Sequence, residues 1–134
     1  MKKLQLLLTL GITLLSFDIL AQDACDAKAK LHYDQEICQG KRLQSLDNNL
    51  NKVYKIALAT MPEKDDSDNR KEREQLRKSQ RAWLAYSREQ CALEGGLEGG
   101  SNSWVSTFAG DCMEKELNSR INFLQSIVDG KFKG

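Results

Sequence analysis

The residues of this 134-residue chain that could carry chemistry are four cysteines, one histidine and nineteen carboxylates. Cys25, Cys38, Cys91 and Cys112 are separated by 13, 53 and 21 residues. A zinc site needs close pairs of the C-x-x-C kind, and the chain has none. An even cysteine count in a small domain reads instead as two disulfides, provided the chain works in an oxidising compartment. Three pairings are possible. Cys25–Cys38 with Cys91–Cys112 is favoured because each bridge then staples a contiguous segment, adding ~2–4 kcal/mol in the chain-entropy account. Cysteines held this way offer no thiolate nucleophile.

The remaining groups give no catalytic set. His32 stands between Leu31 and Tyr33 with no second histidine in the chain, and a lone histidine is more often a surface or packing residue than a catalyst. Most carboxylates alternate with Lys and Arg, which leaves few isolated enough for a shifted pKa. The Gly-Gly pairs lack the Lys and the preceding strand that phosphate binding requires. The chain reads as non-catalytic, with no cofactor and no metal.

The first residues bear on where the chain works. Lys2 and Lys3 precede an apolar run from Leu4 to Leu15, and Ile19 and Ala21 fit the positions before a cleavage site. This is the order of a secretory signal peptide over residues 1–21, with the cut after Ala21. The run falls short of the ~20 apolar residues of a membrane span, and Asp18 interrupts it. The expected mature chain, residues 22–134, is one domain without a membrane segment, periplasmic or secreted. The formal charge of +1 becomes zero once Lys2, Lys3 and Asp18 are removed. A neutral domain has no basic field for nucleic acid.

The elements that must position these residues are helices. One Pro against nine Gly, with few β-branched runs, argues against a sandwich or barrel. After an opening segment closed by Gly40, an apolar stripe runs through Leu43, Leu46, Leu50, Val53, Tyr54, Ala57, Leu58 and Met61 at helical spacing. Pro62 ends it. Residues 63–78 carry six acidic and six basic side chains that cancel. They read as a turn and a solvated helix start, with Ser67 or Asp68 as cap and Glu74→Lys78 as a helpful pair. A second stripe of Leu76, Gln80, Trp83, Leu84, Ser87 and Cys91 runs to Gly95. The loop midpoint near residue 67 predicts an antiparallel hairpin whose paired positions sum to about 135, setting Asp47 opposite Arg88. A third helix is suggested by Trp104, Phe108 and Cys112, then Leu117, Ile121, Leu124 and Ile127 or Val128. Ser101 or Ser103 could cap it, although Gly110 moves the expected start toward Asp111. The fold class is all-α: an antiparallel helical hairpin plus a third, C-terminal helix, stapled by two disulfides.

Between Cys91 and Cys112 the chain repeats Leu-Glu-Gly-Gly and continues into Ser101 and Trp104. Four glycines at that density predict a turned loop. Residues 92–111 hold Glu94, Glu98 and Asp111 and no basic residue. Trp104 and Phe108 add large apolar area, and aromatic anchors on a stapled segment suit partner binding. The i, i+4 spacing of the two rings suits core packing equally, above all for Phe108.

Three strings together carry a family resemblance. They are Asp47-Asn-Asn-Leu50-Asn51-Lys-Val-Tyr54, then Gln80-Arg-Ala82-Trp83-Leu-Ala-Tyr-Ser-Arg88-Glu89-Gln-Cys91, and then Gly99-Gly100-Ser101 with Cys112, Arg120 and Leu124. The chain resembles the LprI-type, lysozyme-inhibitor-like family of small bacterial envelope proteins from Cys25 to about Leu124. It departs from the family pattern at Leu117, where Thr is usual, and in the extra Leu-Glu-Gly-Gly unit. The resemblance implies an exported, disulfide-linked helical domain that inhibits lysozyme. The alternative is an envelope binding or immunity-type module that recognises another protein or a peptidoglycan component. Animal-type lysozymes are cationic, so an acidic segment would be steered toward them. That points to Glu94, Glu98, Ser101 and Trp104 as partner contacts. Asp47, Tyr54, Trp83 and Arg88 read as structural, with Arg88 expected in a partly buried ion pair.

Overall fold

The computed structural model describes Cys25, residues 31–61 and residues 71–132. The expected signal segment, the Pro62 stop and the Ser67/Asp68 cap lie outside the described residues. Three helices account for most of the rest: α1 over His32–Ala59, α2 over Glu72–Glu98 and α3 over Asn102–Val128. No strand occurs among the described residues, and the fold is all-α. Packing separates Met1–Cys38 from Gln39–Gly134, and each unit stands by itself here.

In the first unit the Cys25–Cys38 disulfide holds its two Cα atoms 5.8 Å apart. His32 Nε2 lies 3.6 Å from Glu36 Oε1, one turn further along α1. The helix therefore begins ahead of Gly40, where the apolar stripe alone placed its start. Gly40 costs the helix about 1 kcal/mol against Ala without ending it.

In the second unit the core is formed by Leu50, Val53 and Ala57 of α1, Leu76 of α2, and Leu117 and Leu124 of α3. Ala57 and Leu124 are fully buried. Leu117, where the resemblance expects Thr, sits in this core and contributes apolar burial in place of a hydrogen bond. Tyr54 and Trp83 pack against the same cluster.

α2 and α3 form a close antiparallel pair. Cys91 bonds to Cys112, Trp83 Nε1 donates to Glu116 Oε2 at 3.3 Å, and Arg120 Nε donates to Gln80 Oε1 at 2.9 Å. Positions on one helix fall as those on the other rise. α1 instead runs parallel to α3: Gln39 Nε2 donates to Asp111 Oδ1 at 2.7 Å, and Arg42 Nε meets Glu114 Oε1 at 3.1 Å. The Asp47–Arg88 pair expected from the hairpin register does not form. Asp47 Oδ2 accepts from Asn51 Nδ2 at 3.0 Å, and Arg88 is exposed with no ion pair among the described residues. The physical reason is that the bridge and the glycines join α2 most closely to α3.

Two glycines act as contact points within helices. A Cβ on Gly95 would lie 2.5 Å from the Val105 carbonyl oxygen and 3.0 Å from Ala109 Cβ, so its absence lets α2 and α3 touch. A Cβ on Gly110 would collide with the Gln39 amide. This corrects two expectations: α2 does not end at Gly95 but runs on to Glu98, and α3 starts at Asn102, not near Asp111. Tertiary contact offsets the helix-propensity cost of these glycines.

Candidate functional site

The junction of α2 and α3 is the three-residue turn Gly99-Gly100-Ser101. Gly99 and Gly100 have φ of 75° and 97°, a region costly for residues with a Cβ. The Gly99 N–H donates back to the Gly95 carbonyl at 3.3 Å, which closes α2. Ser101 takes the N-cap position of α3. Its carbonyl accepts from Val105 N–H at 3.0 Å, while its hydroxyl makes no capping bond. Of the two tandem Leu-Glu-Gly-Gly units, the first is therefore helix and only the end of the second is turn.

This arrangement moves Glu94 and Glu98 from the expected loop onto α2, and it leaves Ser101 at the cap and Trp104 on the third helix. Glu94 and Glu98 stand on the last turns of α2, Ser101 in the turn, and Trp104 on the first turn of α3. The four cluster at one end of the α2–α3 pair, as helix-end positions and not along a long loop. Glu98 and Ser101 are exposed and Glu94 is half-buried. Trp104 is 44% exposed and stacks on Phe108, with ring centroids 5.9 Å apart and planes 28° from parallel. Its Cβ lies 3.2 Å from where a Gly100 Cβ would be, so the indole rests against the turn.

The charge at this end is one-sided. No basic residue occurs from Glu89 to Glu114. Asp111 and Glu114 are occupied by Gln39 and Arg42 of α1. Glu89, Glu94 and Glu98 have no ion-pair partner among the described residues. The last turn of α2 contains no basic residue either. Carboxylates at a helix C-terminus face the negative end of the dipole, unfavourable by ~0.3–1 kcal/mol each at the surface. A cation brought to this end relieves both effects.

The periodicity reading missed the apolar part of the surface. Tyr86, Leu93 and Leu97 are 56%, 58% and 78% exposed. Their seven- and four-residue spacing places them along one stripe of α2, away from the face that carries Cys91 and Gly95. The signal for them was present in the sequence. It becomes readable only once α2 is known to continue through Gly95 and Gly96.

No cluster of three or more metal-ligating side chains occurs among the described residues. Nor is any described helix long and apolar enough to cross a membrane.

Comparison with known proteins gives a family and a relative. The family described as "Lysozyme inhibitor LprI" matches residues 25–124, from the first disulfide cysteine to the buried Leu124. An uncharacterized protein of Rhizobium meliloti is 29% identical over 108 residues, covering 76% of this chain and 77% of that protein. No solved structure matches the chain.

Proposed function

We propose a function from one premise: the chain belongs to the lysozyme inhibitor LprI family. On this reading it is a non-catalytic binding protein that works outside the cytoplasm, and its target is a lysozyme. Two disulfides suit an oxidising compartment. The charged and apolar order of residues 2–21 suits export to the periplasm or beyond it.

The single observation that carries the contact assignment is the unneutralised acidic end of the α2–α3 pair. Glu94 and Glu98 supply charge complementary to a cationic enzyme and speed the encounter. Trp104, half in contact with its own turn and half open, supplies the apolar anchor. Ser101 offers an exposed hydroxyl between them. A rigid two-helix end, closed by glycines and stapled by Cys91–Cys112, loses little conformational freedom on binding. Lysozyme action depends on two carboxyl groups in a cleft, so occupying that cleft is sufficient for inhibition without any chemistry by the inhibitor.

The test is lysozyme-driven clearing of a cell-wall suspension, with purified chain whose disulfides are verified. Micromolar wild-type protein should slow clearing, and Glu98→Lys combined with Trp104→Ala should remove most of the effect. Inhibition untouched by that double substitution refutes the assignment of the contact end. A wild-type protein that neither binds nor inhibits lysozyme points instead to a module for another envelope protein or a peptidoglycan component.

A further inference from the structure

Away from the acidic end, Arg120 of α3 is half-buried with no carboxylate to balance it among the described residues. Its Nε donates to Gln80 Oε1 at 2.9 Å and one Nη2 hydrogen goes to Ser79 Oγ at 3.0 Å. Its guanidinium carbon stands 5.7 Å from the Trp83 ring centroid and 5.0 Å from that of Phe123. Burial pulls the guanidinium below its ordinary pKa, and the neighbouring Tyr54 partly restores it.

Glu116 is the acid placed to pair with this charge, one turn earlier on α3 in the favourable Glu-to-Arg order. It accepts from Trp83 Nε1 instead, at 3.3 Å. The side fork of the guanidinium, Nε with Nη2, is thus spent on neutral acceptors. The end fork, Nη1 with the second Nη2 hydrogen, has no protein acceptor among the described residues. Nη1 makes no hydrogen bond and is not among the sealed, unbonded polar atoms of the described residues, so this nitrogen reaches solvent. A planar end fork matches the two oxygens of a carboxylate.

An apolar ledge continues from the cation. Phe123 is 41% exposed and Phe132 67% exposed, with ring centroids 6.0 Å apart. The row Trp83, Arg120, Phe123, Phe132 therefore joins a half-dehydrated cation to two open aromatic rings. Large exposed rings beside a half-buried cation without an ion-pair partner are costly in a free protein. One ligand chemistry meets both needs.

We propose that Arg120, held between Trp83 and Phe123, anchors a binding site for a carboxylate carried on an apolar body, with Phe123 and Phe132 as the bed for that body. Glu116, hydrogen-bonded to the same Trp83 and one turn from Arg120 on α3, adds negative charge beside the site, which disfavours a dianion such as phosphate and suits a monoanion.

The test uses the full oxidised chain and four probes at fixed pH and ionic strength: octanoate, acetate, octanol and inorganic phosphate. Octanoate should produce saturable shifts of the Arg120 Nε–H and Trp83 Nε1–H resonances. Acetate should shift the same resonances with about tenfold weaker affinity, since it lacks the apolar part. Octanol and phosphate should not saturate. Phe132→Ser should bring octanoate close to acetate, and Arg120→Gln should abolish the response to both. The wild-type comparison needs no variant, so it stands even where Arg120→Gln fails to fold. Equal response to octanol and octanoate, or no saturable response to either carboxylate, overturns the proposal. So does a Phe132 resonance that moves with protein concentration and not with octanoate, because the ledge is then covered by a second copy.

Discussion

Alanine at Gly95 and alanine at Gly96 should move stability in opposite directions, although the two glycines are adjacent in one helix. In an unencumbered helix interior, Gly→Ala is worth roughly 0.5–1 kcal/mol in favour of Ala, through lost backbone entropy in the unfolded chain. Gly96 meets nothing within 4 Å, so Gly96→Ala should gain that amount. At Gly95 the new methyl carbon would stand 2.5 Å from the Val105 oxygen, a backbone atom that cannot swing aside, and 3.0 Å from Ala109 Cβ. Relief requires α2 and α3 to part by the better part of an ångström, where the Cys91–Cys112 bridge resists them. Overpacking of this kind costs ~1–3 kcal/mol, so the propensity gain is outweighed and Gly95→Ala should lose about 1–2 kcal/mol net. Gly99→Ala should lose about 1 kcal/mol for a different reason, since its φ of 75° is costly for Ala although the space is open. Urea unfolding of the oxidised variants measures all three. For a chain of this size 1 kcal/mol corresponds to roughly 3–5 °C in Tm, so thermal unfolding resolves them too. A Gly95→Ala protein as stable as wild type refutes the close helix contact, and a destabilised Gly96→Ala refutes the continuation of α2 through the first repeat.

Leu124→Ala should cost ~2–5 kcal/mol by urea unfolding, since Leu124 is fully buried in the three-helix core. Replacing Cys91 and Cys112 together by Ser should remove ~2–4 kcal/mol, with a matching loss of inhibition only if the α2–α3 end then frays, as read by amide exchange near Gly95. Arg42→Ala leaves the partly exposed Glu114 without its partner and should cost about 1 kcal/mol, reduced from the fully buried case by solvent screening. Raising ionic strength from low to physiological should slow association with lysozyme more than it speeds dissociation, and Glu94→Gln with Glu98→Gln should flatten that salt dependence.

Much of the helical content is legible from residue spacing. Leu50, Val53 and Ala57 recur at helical intervals and do form the α1 part of the core. The pairing of Cys25 with Cys38 and Cys91 with Cys112 follows from economy of contiguous segments, and both bridges are present. Glu74 and Lys78 meet at 3.0 Å as their i, i+4 order suggests. That hydrogen bond, reinforced by the lysine's charge, draws the Glu74 carboxyl below its ordinary pKa. The glycine repeat suggests a loop yet folds largely as helix, because glycine carries two opposite meanings, helix breaker and close-contact residue. Nothing local distinguishes Gly95 from Gly99. What separates them is Val105 and Ala109 on another helix.

By itself the sequence determined the helical class, the stapled segments and the one-sided charge between Cys91 and Cys112, because each depends on residues near one another along the chain. The tertiary structure alone decided that α2 lies closest to α3, that Glu94, Glu98, Ser101 and Trp104 share one end, and that Arg120 stands between two rings without a carboxylate. Each of these depends on distances between residues up to 41 positions apart. Those distances are set by which side chains are small enough to let two helices touch.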